Sequence, residues 1–132
     1  MLSGLFDEMG RSFMAFMKRR NFGFVLENVK HRVVGMSYSS SLKSIAQAHT
    51  RTIDFLTHQN YFGEAYRLIK ALVEKLKEEK AKKLQAYTAS TDETRKKILW
   101  QCSFKKEASL SKQLQTGSKT SNLEIYCRFL DS

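Results

Sequence analysis

A chain of 132 residues is about one domain, and 42% hydrophobic content excludes global disorder. Two cysteines exclude a disulfide framework and make a reduced cytosolic or nuclear setting the expectation. A formal net charge of +10 points to nucleic acid, an anionic membrane face or an acidic protein as partner.

The chain contains no proline, which suits long helices. Residues 2–17 read as an amphipathic helix with Leu2, Leu5, Phe6, Met9, Phe13, Phe16 and Met17 on one stripe. Lys18, Arg19 and Arg20 follow at its negative end. Such a stripe fits a core helix, a self-association face or a membrane surface. Asp7 and Glu8 interrupt it, so a signal peptide is not expected. Nor does any apolar run reach the ~18 residues of a membrane span.

Residues 21–35 suit a helix ending near Gly35, with a hairpin through Glu27–Lys30 as the alternative, because Phe24, Val25, Val33 and Val34 favour strands. Gly35–Ser41 reads as a linker. A helix over 42–57 follows, with Leu42, Ile45, Ala46, His49, Ile53 and Leu56 on its stripe. After a short break at His58–Asn60, Asn60 would cap a long helix over 61–87. Its stripe is Phe62, Ala65, Tyr66, Ile69, Leu72, Val73, Leu76, Leu84 and Tyr87, with Glu78–Lys82 and Glu79–Lys83 as i,i+4 pairs. Ser90 and Glu93 form a capping-box pattern before a helix over about 91–114, interrupted at Cys102–Ser103. A polar loop over 116–122 leads to an alternating, strand-like end at Leu123, Ile125, Cys127 and Phe129, where a short closing helix would also fit. The expected fold is therefore mainly α: four to five helices around a central antiparallel hairpin of 42–57 and 61–87. One helical domain would span 1–115, and 116–132 would be a polar loop and closing segment.

Little in the chain suggests catalysis. His31, His49 and His58 lack metal-ligand spacing, and nothing flags Cys102 or Cys127 as activated. Gly117-Ser118-Lys119-Thr120 lacks the glycine spacing of a phosphate loop. No enzyme, metal or cofactor is expected. Charge is the stronger signal, since residues 67–119 carry 14 of the 23 Lys and Arg but 6 of the 13 acids. Lys75, Lys77, Lys80, Lys82, Lys83, Arg95, Lys96 and Lys97 are the candidate phosphate contacts, and Tyr87, Trp100 and Phe104 the candidate stacking groups.

Two resemblances arise at the central segment. NYFGEAYRLIKALVEKL resembles the helix starts of peptide-binding TPR and MIT modules, with a groove along Tyr61–Leu76. Phe6-Asp7-Glu8 together with Asn60–Arg67 resembles the geminivirus V2 (precoat) family. That resemblance implies a non-enzymatic viral accessory protein of the host cytoplasm or nucleus, not secreted. Such a protein suppresses RNA silencing and aids movement by binding RNA or a host silencing-pathway protein. Phe6, Phe13, Phe16, Tyr61 and Tyr66 would then be partner contacts, and the N-terminal helix would mediate homo-oligomerisation. The chain departs from the family in lacking its Trp-Asp-Pro start and its Cys/His cluster, so no metal role carries over. A helical protein–protein module without nucleic-acid binding is the alternative.

Overall fold

Between Phe22 and Thr57, β-branched and aromatic residues prevail over helical spacing. The computed structural model describes residues 2–4, 22–41 and 49–130. Strand β1 (Leu2–Gly4) pairs antiparallel with β2 (Phe22–Glu27), which pairs with β3 (Val33–Ser41), which pairs with β4 (Thr50–Thr57). Asn28 sets the hairpin between β2 and β3, its side-chain oxygen accepting the amides of Lys30 and Arg32. The helix preferred over 21–35, the linker at 35–41 and the end of the helix over 42–57 are thus corrected to strands. In β4, Ile53 and Phe55 are buried on one face, while Thr52, Asp54 and Leu56 alternate onto the other. Of the helix expected over 2–17, residues 2–4 are strand. The rest, with Phe6, Phe13 and Phe16, lies outside the described residues, as does 42–48.

A 3-10 turn (Gln59–Glu64) leads directly into helix α1 (Ala65–Glu78). The side chain of His58 accepts the Asn60 amide, so His58 rather than Asn60 is the cap. Of the predicted stripe, Ala65, Ile69, Leu72, Val73 and Leu76 form a buried face, which Leu68 completes, while Phe62 and Tyr66 are exposed. The helix, however, stops nine residues before the expected end at Tyr87. Lys80 takes a left-handed φ of 64°, its amide bonds the Lys77 carbonyl, and the Ala81 amide reaches back to Leu76. That is a Schellman stop built without the usual glycine. Neither Glu78–Lys82 nor Glu79–Lys83 forms, since Glu79 faces Arg51 and Lys83 pairs with Glu107.

Leu84, Ala86 and Thr88 are buried in strand β5 (Lys83–Ala89). Helix α2 (Glu93–Gln101) is capped by Asp92, whose carboxylate accepts the Arg95 amide at 3.0 Å, in place of the expected Ser90. It ends in a second Schellman stop, with Ser103 at φ 68° and the Phe104 amide bonded to Leu99. The break expected at Cys102–Ser103 is real, but a strand follows it. The hairpin β6 (Lys105–Thr116) and β7 (Lys119–Phe129) turns at Gly117, and β7 takes the strand option of the two the sequence left open.

The result is one seven-stranded mixed sheet in the order β1-β2-β3-β4-β5-β7-β6, which replaces the mainly α bundle. Ala65, Ile69, Leu72, Val73 and Leu76 of α1 and Ile98 and Leu99 of α2 share one core with Ile53, Phe55, Leu84, Ala86, Phe104 and Tyr126. Glycine gives α1 room beside β3: a Cβ on Gly35 would sit 3.0 Å from Leu68 Cδ1 and 2.9 Å from Thr57 Cγ2, and both side chains would have to shift.

Candidate active site

All other strand pairs are antiparallel, but β4 and β5 run parallel, as the connection through α1 requires. Their ladder holds for three rungs only, Thr50–Thr52 against Lys83–Gln85. Beyond them β4 stays with β3 as far as Thr57, and β5 stays with β7 as far as Ala89. The two strands therefore diverge into a wedge that opens at their carboxyl ends. Crevices at the carboxyl ends of parallel strands are where α/β proteins place ligands.

The start of α1 stands at the mouth of this wedge. Helix starts present backbone amides and the positive end of the dipole, a setting that suits phosphate. Nothing lies within 4 Å of a Cβ built on Gly63, so the backbone there is open to close approach. The acid at this point, Glu64, is neutralised by Arg67 at 2.9 Å. A cleft of about 120 Å³ runs inward between Phe55, Leu56, Thr57 and Phe62 on one side and Asp92, Thr94, Arg95 and Ile98 on the other. A hollow of about 280 Å³ flanks the turn on its other side, walled by Leu26, Asn28, Val29, Tyr61 and Arg67.

Arg95 stands inside the wedge with only 16% of its side chain exposed. Its Nη1 donates to the Phe55 carbonyl on β4 at 2.9 Å, and its Nε donates to the Tyr87 carbonyl on β5 at 3.0 Å. The guanidinium carbon lies 4.1 Å from the centroid of the Phe55 ring. Nη2 reaches the Asp54 carboxylate, which is on the opposite face of the sheet from Phe55. The side chain thus threads between the strands. On the far face the Asp54 carboxylate also accepts the hydroxyl of Tyr38, its register partner on β3, at 2.9 Å. Burial, reinforced by Asp54, pushes Tyr38 up to about 12, so at neutral pH its hydroxyl is protonated and can only donate to an anion.

The basic residues singled out in the sequence do not share one helix. Lys75 and Lys77 lie on α1, paired with Glu78 and Glu74. Lys80 and Lys82 are in the connection to β5, and Lys83 begins that strand. Lys96 pairs with Glu93 and faces the buried Glu124, Lys97 is exposed on α2, and Arg95 is in the wedge. Tyr61 takes a hydrogen bond from Asn28, and Tyr66 is exposed on α1. Of the candidate stacking groups, Phe104 is fully buried and Trp100 is 71% exposed. Burial pushes both cysteine thiols up, which disfavours the thiolate form. Among the described residues no group of three or more His, Cys, Asp or Glu could hold a metal ion, and no helix is long and apolar enough to cross a membrane. The sequence reading missed Asp54, Tyr38 and the openness at Gly63. The signal it passed over was a β-branched run, Thr50–Thr57, leading into a glycine-bearing helix start.

No family model matches the sequence, and a search of curated proteins found no match. Solved structures do match. An N-acetyltransferase from Staphylococcus aureus Mu50 superposes with a TM-score of 0.82 at 20% identity, covering 91% of this chain and 74% of that one. A Salmonella typhimurium protein described as an acetyltransferase, solved with its cofactor acetyl-CoA, superposes at 0.80 with 15% identity over 91% and 70% of the two chains. An acetyltransferase of the GNAT family from Streptococcus pneumoniae gives 0.79 at 10% identity over 88% and 74%. At such identities the likeness is one of fold. It corrects the reading of a non-enzymatic viral silencing suppressor with a movement role, for which the V2 resemblance was the ground, because the chain has a fold found in acetyltransferases. RNA and silencing-pathway proteins as partners fall with that reading, and so does the TPR- or MIT-like hairpin, whose two helices are β4 and a shortened α1.

Proposed function

We propose that the protein is an N-acyltransferase that moves an acetyl group from coenzyme A to an amine. The observation that carries this reading is the wedge between β4 and β5 with a helix start at its mouth, in a fold shared with acetyltransferases, one of them solved with acetyl-CoA. The residues fit the donor at both ends. Gly63 leaves room for a diphosphate against the start of α1, and the pairing of Arg67 with Glu64 removes the repulsion that the acid would exert there. The backbone edges of Ile53–Thr57 and Ala86–Ala89 offer hydrogen-bonding groups along a narrow cleft, which suits an extended arm containing amides.

Bound there, the thioester would supply an activated acyl group; the amine, having lost a proton to solvent, would attack its carbonyl carbon as the carbon–sulfur bond breaks, and a second proton from the amine would pass to the sulfur, which leaves as a thiol. The chain's own part is to bind, orient and exclude water. Phe55, Phe62 and Ile98 make the cleft apolar. Asp54, 41% exposed on the far face, is the carboxylate placed to hold a cationic amine. The Tyr38 hydroxyl holds Asp54 in position. Incubation with acetyl-CoA and a panel of primary amines, read by free-thiol release and by mass spectrometry of the amine, tests the reading. Amine-dependent thiol release with gain of one acetyl group is expected. Absence of both thiol release and coenzyme A binding would overturn it.

A further inference from the structure

We infer that Arg95 is a gate on the wedge: its side chain occupies the space and the hydrogen-bonding groups that an acyl donor's arm needs, and it must swing out for the arm to enter. The inference rests on the coenzyme A reading above and specifies how that site is controlled. Three observations carry it. The guanidinium is bonded to a backbone carbonyl on each wall, Phe55 on β4 and Tyr87 on β5, where the two strands no longer bond each other. It lies over the Phe55 ring, so it also covers part of the apolar wall of the cleft. It is anchored beyond the wedge by Asp54, itself held by Tyr38.

The N–H groups of an amide-bearing arm and those of this guanidinium seek the same acceptors on the walls. They therefore compete for the Phe55 and Tyr87 carbonyls and cannot occupy the wedge together. Arginine is suited to such a closure, because its planar fork holds several acceptors at fixed angles while its long stem lets the head leave. A side chain that must move before ligand enters lowers apparent affinity by the fraction of open molecules. Displacement of Arg95 also takes a cation away from Asp54, leaving that carboxylate to an amine just when the donor is in place.

The test measures binding of coenzyme A and of adenosine 3′,5′-diphosphate, which lacks the arm, by titration calorimetry. The full chain is compared with Arg95→Ala and Asp54→Asn. About tenfold tighter coenzyme A binding by Arg95→Ala is expected, with the adenosine diphosphate unchanged and Asp54→Asn moving in the same direction. In the unaltered protein, the nitrogen-15 resonance of Arg95 Nε, held by Tyr87, should shift towards that of a free arginine as coenzyme A saturates. This readout stands even if Arg95→Ala fails to fold. Coenzyme A affinity unchanged or weakened in Arg95→Ala, equal tightening for both ligands, or an Nε signal unmoved at saturation would overturn the gate and leave the coenzyme A site standing. Lack of coenzyme A binding by every variant would overturn both.

Discussion

Replacing Gly63 with Asp should make the protein more stable and a worse ligand for coenzyme A, two effects of opposite sign from one side chain. A Cβ at Gly63 meets no atom within 4 Å, and the residue is not in the left-handed region, so the new side chain fits without strain. Removing a glycine from an ordered helical turn gains about 0.4–1 kcal/mol through the unfolded chain. A carboxylate at the positive end of α1 gains about 0.3–1 kcal/mol more. The sum is about 1 kcal/mol, or roughly 3–5 °C in Tm for a chain of this length. Binding changes the other way. A unit charge about 4 Å from a phosphate costs about 1 kcal/mol in water and about 4 kcal/mol at the effective dielectric of a protein surface. Coenzyme A affinity should therefore fall at least about fivefold. Gly63→Asn, close in shape but neutral, should keep most of the stability gain and most of the affinity. Thermal unfolding and calorimetric titration at low and moderate salt measure both arms. A loss of stability would refute the open helix start. Unchanged affinity in Gly63→Asp would refute phosphate binding at this helix end.

Two further outcomes follow from the backbone and the far face of the sheet. Lys80→Gly and Ser103→Gly should each stabilise by about 0.5–1 kcal/mol, since glycine removes the cost of a left-handed Cβ and the two stops are far enough apart to add. Lower denaturation midpoints for both would contradict the Schellman geometry. Tyr38 titrates at about 12 in the folded protein, above its ordinary value near 10. The stability that comes from keeping it protonated is complete below about pH 10 and disappears as pH rises towards 12. Alkaline difference absorbance should show a late tyrosine step that shrinks in Tyr38→Phe, with a remainder from Tyr126, whose hydroxyl burial also pushes up. Ionisation of every tyrosine near pH 10 would deny the bond to Asp54.

What the sequence made legible was most of the buried face of α1, the break at Cys102–Ser103 and, as one of two options, the strand β7, though not its face, since Glu124 and Tyr126 are buried and Phe129 is exposed. What it hid has identifiable causes. The long helix was carried on to Tyr87 because its stop falls on Lys80, where a glycine would have announced it, and because Leu84 happens to continue the helical stripe. β4 was taken for a helix because Ile53 and Leu56 fit a spacing of three, while the alternation of Ile53 and Phe55 against Thr52 and Asp54 carried the truth. The linker GMSYSSS is a strand because Gly35 clears Leu68 and Ser37 sends its hydroxyl to the Leu68 carbonyl, so small residues there serve close packing. The site was hidden for a deeper reason. It is made where two strands stop pairing, and that depends on the whole sheet. Arg95 was noticed for its charge, but its role in the wedge depends on Asp54 and Phe55, some forty residues earlier.

Hydrogen exchange of the full protein with and without coenzyme A tests the central claim most directly. If the wedge and the start of α1 hold the donor, amides in residues 54–65 and 86–95 slow on binding, while the distant β6–β7 turn at Gly117–Lys119 is unchanged. Binding that protects neither segment, or no binding at saturating coenzyme A, would contradict the account.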